Sequence, residues 1–167
     1  NLTAKIGAVI GEVGAILKTK PLAGKWTRVL AIGWNQAADS NVIRIGGLEF
    51  DGNMAEQNWD GSYSLEQQAG IIITGRVGGA EYGTLNALVE DCYFRDNVGN
   101  GLVIHWNANV RMWDLRIHEI FRTGISAIGN FVKMDIRKFR SWGKMRGGID
   151  LEPENETHYM KTIVEDA

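Results

Sequence analysis

One short unit recurs through the second half of this chain and leaves few folds open to it. In register, GLVIHWN from Gly101, GISAIGN from Gly124 and GIDLEPE from Gly148 each place a glycine before two apolar residues separated by one other. The glycines lie 23 and 24 residues apart, and between them run VRMWDLRI from Val110 and MDIRKFRS from Met134. Two-residue alternation nested inside a period of about 23 residues describes short strands stacked circuit upon circuit. An all-β solenoid is therefore expected.

Earlier circuits are visible once this register is fixed. VLAIGWN (29–35) aligns with GLVIHWN (101–107), and Gly70 opens a further copy. The companion strand follows an apolar-x-apolar-x-x-apolar-x-apolar template: Ile43, Ile45, Leu48, Phe50, then Ala87, Val89, Cys92, Phe94, then Val110, Met112, Leu115, Ile117. Met134, Ile136, Phe139 and Ser141 repeat it with one polar substitution, and Met160 and Ile163 continue it weakly. Residues 1–28 are broken by Gly7, Gly11 and Gly14 and read as irregular strands of a first circuit, with the stacked circuits over 29–167 in the same domain. Asn35, Asn107 and Asn130 share one corner position, where stacked side-chain amides would form a ladder. Two insertions interrupt the period. Phe50 to Gly70 spans 20 residues where Phe94 to Gly101 spans 7, and Gly70 to Ala87 spans 17 where Gly101 to Val110 spans 9. The first insertion carries Trp59, Asp60 and Tyr63, and two such loops on neighbouring circuits would wall a groove.

Composition fits this reading. Twenty-one glycines against two prolines favour strands and tight turns over helices. A single cysteine, Cys92, rules out an intrachain disulfide, and no apolar run reaches the ~18 residues of a membrane-spanning helix. The chain opens at Asn1 without Met and stops at Ala167 within a circuit, so a fragment of a longer solenoid is expected.

Together these features resemble the right-handed parallel β-helix, or pectate-lyase-like, family. The residues that carry the resemblance are the repeats at Gly70, Gly101, Gly124 and Gly148, the template strands, the asparagine corner, IGGLEFDGN (45–53) and GIDLEPE (148–154). LEFDGN and GIDLEP look like segments of bacteriophage tailspikes and tail-fibre depolymerases, and are similar to segments of bacterial uronan epimerases and lyases. The resemblance covers roughly residues 29–165. It implies a right-handed β-helix acting on a bacterial surface polysaccharide, a homotrimer or larger assembly, and an extracellular or virion-associated location. The calcium-binding aspartates and catalytic arginine of pectate lyases match no positions here, nor does the epimerase motif, so neither chemistry carries over.

Alternation then sorts candidate site residues by face. With Ile149 and Leu151 inward, Asp150 and Glu152 point outward with α-carbons about 6.8 Å apart. That spacing suits an acid–base pair across a glycosidic bond, for which inverting enzymes hold carboxyls roughly 6.5–9.5 Å apart. Ser126 falls beside Asp150, and His105 stands two circuits from Glu152. Asp51 launches the longer insertion, where Trp59 and Tyr63 could stack on sugars. Each has a plainer structural reading: a solvated strand end for the carboxylate pair, a corner histidine, turn chemistry for Asp51.

From Arg111 to Arg146 nine basic residues stand against three acidic ones, and Arg116 and Arg140 share one outward column. Arginine forks on such a face would pair with uronate or sulfate groups, or with acidic segments of another subunit. Nucleic acid is the weaker expectation, because along the sequence the aromatic residues do not interleave with this cluster as a stacking platform requires. The residue spacings hold no metal-ligand set, phosphate loop or nucleophile triad. No cofactor is called for, although carboxylates could take calcium. The leading expectation is a polysaccharide-binding and polysaccharide-degrading solenoid, hydrolase or lyase. The alternatives are a non-catalytic stalk or adhesion module of a fibre, and a secreted uronan lyase or epimerase.

Overall fold

The computed structural model describes residues 7–33, 42–61, 65, 67–77, 80–81, 84–130, 132–153 and 161–165, with backbone alone for 76–77, 80–81 and 161–165. The described chain is nearly all strand, and the strands build two parallel sheets that it visits in turn.

The first sheet collects the template strands. It comprises β1 (Ala8–Ile10), β2 (Ile16–Lys18), β4 (Ile43–Gly46), β5 (Glu49–Asp51), β9 (Leu85–Glu90), β10 (Tyr93–Asn97), β12 (Ala108–Ile120), β14 (Lys133–Trp142) and β16 (Lys161–Glu165). The second holds β3 (Arg28–Ile32), β6 (Ala69–Thr74), β11 (Asn100–His105), β13 (Thr123–Ile128) and β15 (Gly147–Glu152), in the order β15-β13-β11-β6-β3. Each circuit thus adds to both sheets, and the register agrees with the sequence columns: Leu30, Ile71, Leu102, Ile125 and Ile149 align, as do Ile45, Val89, Met112 and Ile136. Residues 8–18, read as irregular, join the first sheet in register, with Val9 beside Ile45 and Leu17 beside Phe50.

The unusual x-x step of the template has a backbone cause. Gly47, Asp91, Asp114 and Lys138 stack at one corner, all left-handed with φ between 46° and 66°. A left-handed residue turns the strand and shifts its alternation by one, so the apolar positions on both sides of it face the same core. β4 and β5 meet at this corner as separate strands, whereas β12 runs continuously through the equivalent bend. Asp96, Glu119 and Gly143 form a second left-handed corner. The expected asparagine ladder is replaced by backbone contact: Asn107, left-handed at φ 49°, donates its N–H to the Asn130 carbonyl at 2.9 Å. Asn35 lies outside the described residues. An amide pair does form elsewhere, from Asn109 Nδ2 to Asn86 Oδ1 at 3.0 Å.

Inside, Phe50 and Phe94 stack at 4.9 Å, continued by Ile117, and Ile71, Leu102, Ile104 and Ile125 are wholly buried. Burying such a side chain contributes about 1.5–3 kcal/mol. The recurrent glycines make the close stacking possible. A Cβ on Gly70, Gly101 or Gly124 would stand 2.7–2.8 Å from the carbonyl oxygen of the next glycine in the column and press on Phe50, Phe94 or Ile117. Cys92 sits in this core, where burial, countered by a backbone hydrogen bond from Leu48 and reinforced by Asp91 and Glu90, pushes its thiol from 9.0 up to about 11.

The first insertion packs against the earlier part of the chain. The first forms a short 3-10 turn at Met54–Glu56, and its Gln57 accepts the Ala23 N–H at 3.0 Å and donates to the Lys20 carbonyl at 3.1 Å. The second carries an antiparallel hairpin of β7 (Arg76–Val77) and β8 (Ala80–Glu81).

Gly101→Ala is expected to lower unfolding free energy by about 1–3 kcal/mol, the usual range for overpacking, because the obstacle is backbone. Gly24→Ala, whose Cβ would meet nothing within 4 Å, should change it by less than about 0.5 kcal/mol. Urea unfolding of the two variants makes the comparison. The thiol advantage of the folded form is complete below pH 9.0 and lost as pH rises through about 11. At pH 8, Cys92 should therefore resist a thiol reagent in the folded chain and react at once in denaturant; fast labelling without denaturant would contradict its burial.

Candidate functional site

The outer face of the first sheet carries a contiguous aromatic and cationic surface. Tyr93, Arg116 and Arg140 occupy one outward column in direct register, and Arg95, His118 and Trp142 occupy the next. Trp142 and Trp113, in the outward column before the Asp114 corner, are each 45% exposed. The rings are mutually ordered: Trp142 lies nearly parallel to His118 at 5.1 Å and to Tyr93 at 5.9 Å. The Tyr93 hydroxyl sits 3.4 Å from His118 Nδ1, and burial outweighs the neighbouring arginine Arg95 to raise the tyrosine pKa, keeping its proton available. Arg116 lies over the Tyr93 ring and Lys138 over that of Trp113. Beside them opens a shallow pocket of about 280 Å³, between the Gly11–Ala15 turn and Glu49, Asp91, Tyr93 and Arg116.

Charge changes character along this face. On the earlier circuits the acids are matched. Arg95 binds Glu49 at 2.5 Å, Asp51 at 3.0 Å and Asp96 at 2.5 Å, Arg116 binds Asp91 at 2.9 Å, and Arg44 binds Glu90. Burial opposes the charge on Arg95, but hydrogen bonds to Glu49 and Asp96 and the field of Asp51 prevail and raise its pKa. On β12 and β14 the cations run ahead of the acids: Arg111, Arg116, Lys133, Arg137, Lys138 and Arg140 against Asp114, Glu119 and Asp135. Arg140 is exposed and forms no ion pair or hydrogen bond among the described residues. Such a face can hold an anion on a guanidinium while a flat apolar ring surface lies against Trp142.

The residues singled out in the sequence fall into separate places. Arg116 and Arg140 meet in register as expected. The expectation that aromatic residues stand apart from the basic cluster is corrected: the Asp114 and Lys138 bends bring Tyr93, Trp113 and Trp142 among the arginines. Asp51 is buried and occupied, accepting the Asn53 N–H at 2.7 Å and pairing with Arg95 and, at 3.8 Å, with Lys18. Trp59 meets Phe121 edge-on at 4.5 Å. Tyr63 lies outside the described residues.

On the second sheet Asp150 and Glu152 align with Ser126 and Ile128, and these with Val103 and His105. The open outer face expected there is corrected, because Ser126 is 0% exposed, with Ile72 and Val103 buried in the same column. Its hydroxyl is a buried group without a hydrogen-bond partner. Glu152 accepts from Arg122 Nη2 at 3.1 Å, whereas Asp150 is half-buried and makes no ion pair or hydrogen bond among the described residues. His105 packs its ring on Trp106 at 3.8 Å. Among the described residues no group of three or more His, Cys, Asp or Glu side chains could hold a metal ion.

Tyr93, Trp113, His118 and Trp142 were missed as site residues. Extending the column bookkeeping from apolar positions to outward ones would have found three of them, since Tyr93 shares the position of Arg116 and Arg140, and His118 that of Trp142. Comparisons with protein-family models, with curated proteins and with solved structures find no match to this chain.

Replacing Arg95 by Met removes the nearest cation from buried Asp51. Unfolding free energy should fall by about 2–3 kcal/mol, below the figure for a fully buried pair because Arg95 is partly exposed. A fall under about 0.5 kcal/mol in urea unfolding would show that Lys18 and solvent suffice.

Proposed function

We propose that this chain is part of a right-handed parallel β-helix that binds an anionic polysaccharide on the aromatic and arginine face of its first sheet. The observation that carries the reading is Arg140. It is an exposed arginine, unpaired among the described residues, in register with Arg116 and on the same strand face as the half-exposed ring of Trp142. A uronate or sulfate on Arg140 would leave the sugar ring over Trp142, pairing charge with stacking. The family resemblance of the repeats and of LEFDGN and GIDLEP supports a surface glycan as the polymer, in an extracellular or virion-associated particle assembled from several copies.

Binding is better supported than cleavage. A pair of carboxylates that divides acid and base roles needs access to the glycosidic oxygen. Glu152 is held by Arg122 and Ser126 is buried, so cleavage at Asp150 and Glu152 would require that ion pair to open. These two facts favour an adhesive role over a degradative one.

The test is a panel of acidic and neutral bacterial glycans scored by binding. Trp142→Ala, Trp113→Ala and Arg140→Ala should each weaken the acidic ligands roughly three- to tenfold, and Arg140→Ala alone should leave any neutral ligand unaffected. Asp150→Asn and Glu152→Gln should leave binding unchanged. Loss of binding in the carboxylate variants, with the aromatic variants unaffected, would move the surface to the second sheet, and new reducing ends or 235 nm absorbance would establish cleavage.

A further inference from the structure

We infer that Tyr93 and His118 form a proton-controlled pair on the aromatic face, in which proton uptake by His118 releases the Tyr93 hydroxyl to donate to a bound anion. This regulation rests on the reading of the same face as an anionic-glycan surface.

Both ring nitrogens of His118 face a partner. Nδ1 lies 3.4 Å from the Tyr93 hydroxyl, and Nε2 lies 3.7 Å from Glu119 Oε1. A neutral imidazole carries one N–H, so one nitrogen donates and the other accepts. An ionised carboxylate only accepts, and Glu119 therefore holds that proton on Nε2. Nδ1 then presents a lone pair to Tyr93. The tyrosine, whose pKa burial raises, keeps its proton and donates it to Nδ1. When His118 takes up a second proton, both nitrogens become donors. Nδ1–H now donates to the Tyr93 oxygen, and the phenolic O–H has to turn to another acceptor.

The surroundings of Tyr93 favour the ligand as that acceptor. Arg116 lies over the Tyr93 ring, and the two residues share the wall of the 280 Å³ pocket. The two acids in that wall are already engaged, Glu49 by Arg95 and Asp91 by Arg116. A sulfate or carboxylate oxygen brought in by the arginines gains most from the released proton.

The groups packed around His118 keep the effect local. Arg95 stands beside it on β10, but Glu49, Asp51 and Asp96 surround that guanidinium. On β14 the neighbour is Trp142, parallel to the imidazole at 5.1 Å, a ring face that favours the imidazolium. Arg140 is two residues earlier on that strand, and on β12 Arg116 is bound to Asp91. At the corner, a Cβ on Gly143 would stand 2.9 Å from His118 Cδ2 and 2.8 Å from Glu119 Oε1, so imidazole and carboxylate fill the space a side chain would take.

Histidine ring ¹⁵N spectra of the free protein read the pair without any glycan. His118, identified by the signals lost in His118→Gln, should be the Nε2–H tautomer at the alkaline end of the imidazole range, about pH 8, and protonated on both nitrogens toward about pH 5. A sulfated glycan keeps its own charge over this range. Its binding should strengthen roughly three- to tenfold as pH falls, and both His118→Gln and Tyr93→Phe should flatten that profile. A profile that persists in Tyr93→Phe but vanishes in His118→Gln would leave only the charge of His118 and overturn the hydroxyl's part. An Nδ1–H tautomer at the alkaline end overturns the pair, as does a wild-type profile no steeper than that of His118→Gln. Should no acidic glycan bind at any pH, the glycan reading fails, and the tautomer still decides the pair.

Discussion

The close approach of successive circuits at the glycine column governs the rest of the structure. Gly70, Gly101 and Gly124 each bring the missing Cβ position to within 2.8 Å of the next glycine's carbonyl oxygen. Only a residue without a side chain lets the backbone turn inward there while the ladder keeps its hydrogen bonds. With that approach fixed, the following apolar positions fall into columns, and Leu102 meets Ile71 and Ile125. The left-handed corners act in the same sense. Asp91, Asp114 and Lys138 accept a backbone conformation that ordinary residues avoid, because each corner is repeated and hydrogen-bonded in the circuit beside it, as Asp91 N–H is to the Trp113 carbonyl at 2.9 Å.

The core was therefore readable from the sequence, for a physical reason. Glycine spacing reports where two backbones touch, and apolar alternation reports which side chains lie between the sheets. Both are requirements of the interior, where one substitution disturbs several neighbours. The register of Ser126 with Asp150 and of Arg116 with Arg140 followed from the same bookkeeping. The outer faces obey no such rule. Nothing in GISAIGN distinguishes a covered Ser126 from an open one, because its burial depends on what folds over the second sheet. The amide ladder failed for a related reason: Asn107 is needed at its corner for its left-handed φ of 49°, which its backbone satisfies without engaging the side chain.

The aromatic surface was hidden by the bends themselves. Along the chain Trp113, Arg116 and His118 seem evenly dispersed, and Trp142 closes a basic run at a distance from Tyr93. A left-handed residue between Trp113 and Arg116 changes which positions share a face, and stacking then places residues 25 and 24 apart in sequence, Tyr93 with His118 and His118 with Trp142, within ring contact. Adjacency of this kind is set by the number of residues per circuit and is invisible to a local window.

The distribution of charge over that face gives it a direction. Arg95 gathers Glu49, Asp51 and Asp96, so the earlier circuits present carboxylates whose charge is already met by a neighbour. Toward β14 the balance reverses, and Arg140, which continues the column of Ile16, Glu49, Tyr93 and Arg116, has no acid to pair with among the described residues. In the binding we propose, a polyanion would be drawn toward these cations over a range of about 8–10 Å at ordinary salt. Attraction of this range brings the ligand in but fixes no geometry. Orientation has to come from contacts that act at van der Waals distance, and among the described residues the rings of Trp113, Trp142 and Tyr93 offer broad apolar surfaces on these strands. Because those rings are tied to strands whose register is set by the core, the spacing of the stacking surfaces is inherited from the backbone, and a ligand with its own regular repeat can meet them without reshaping the protein.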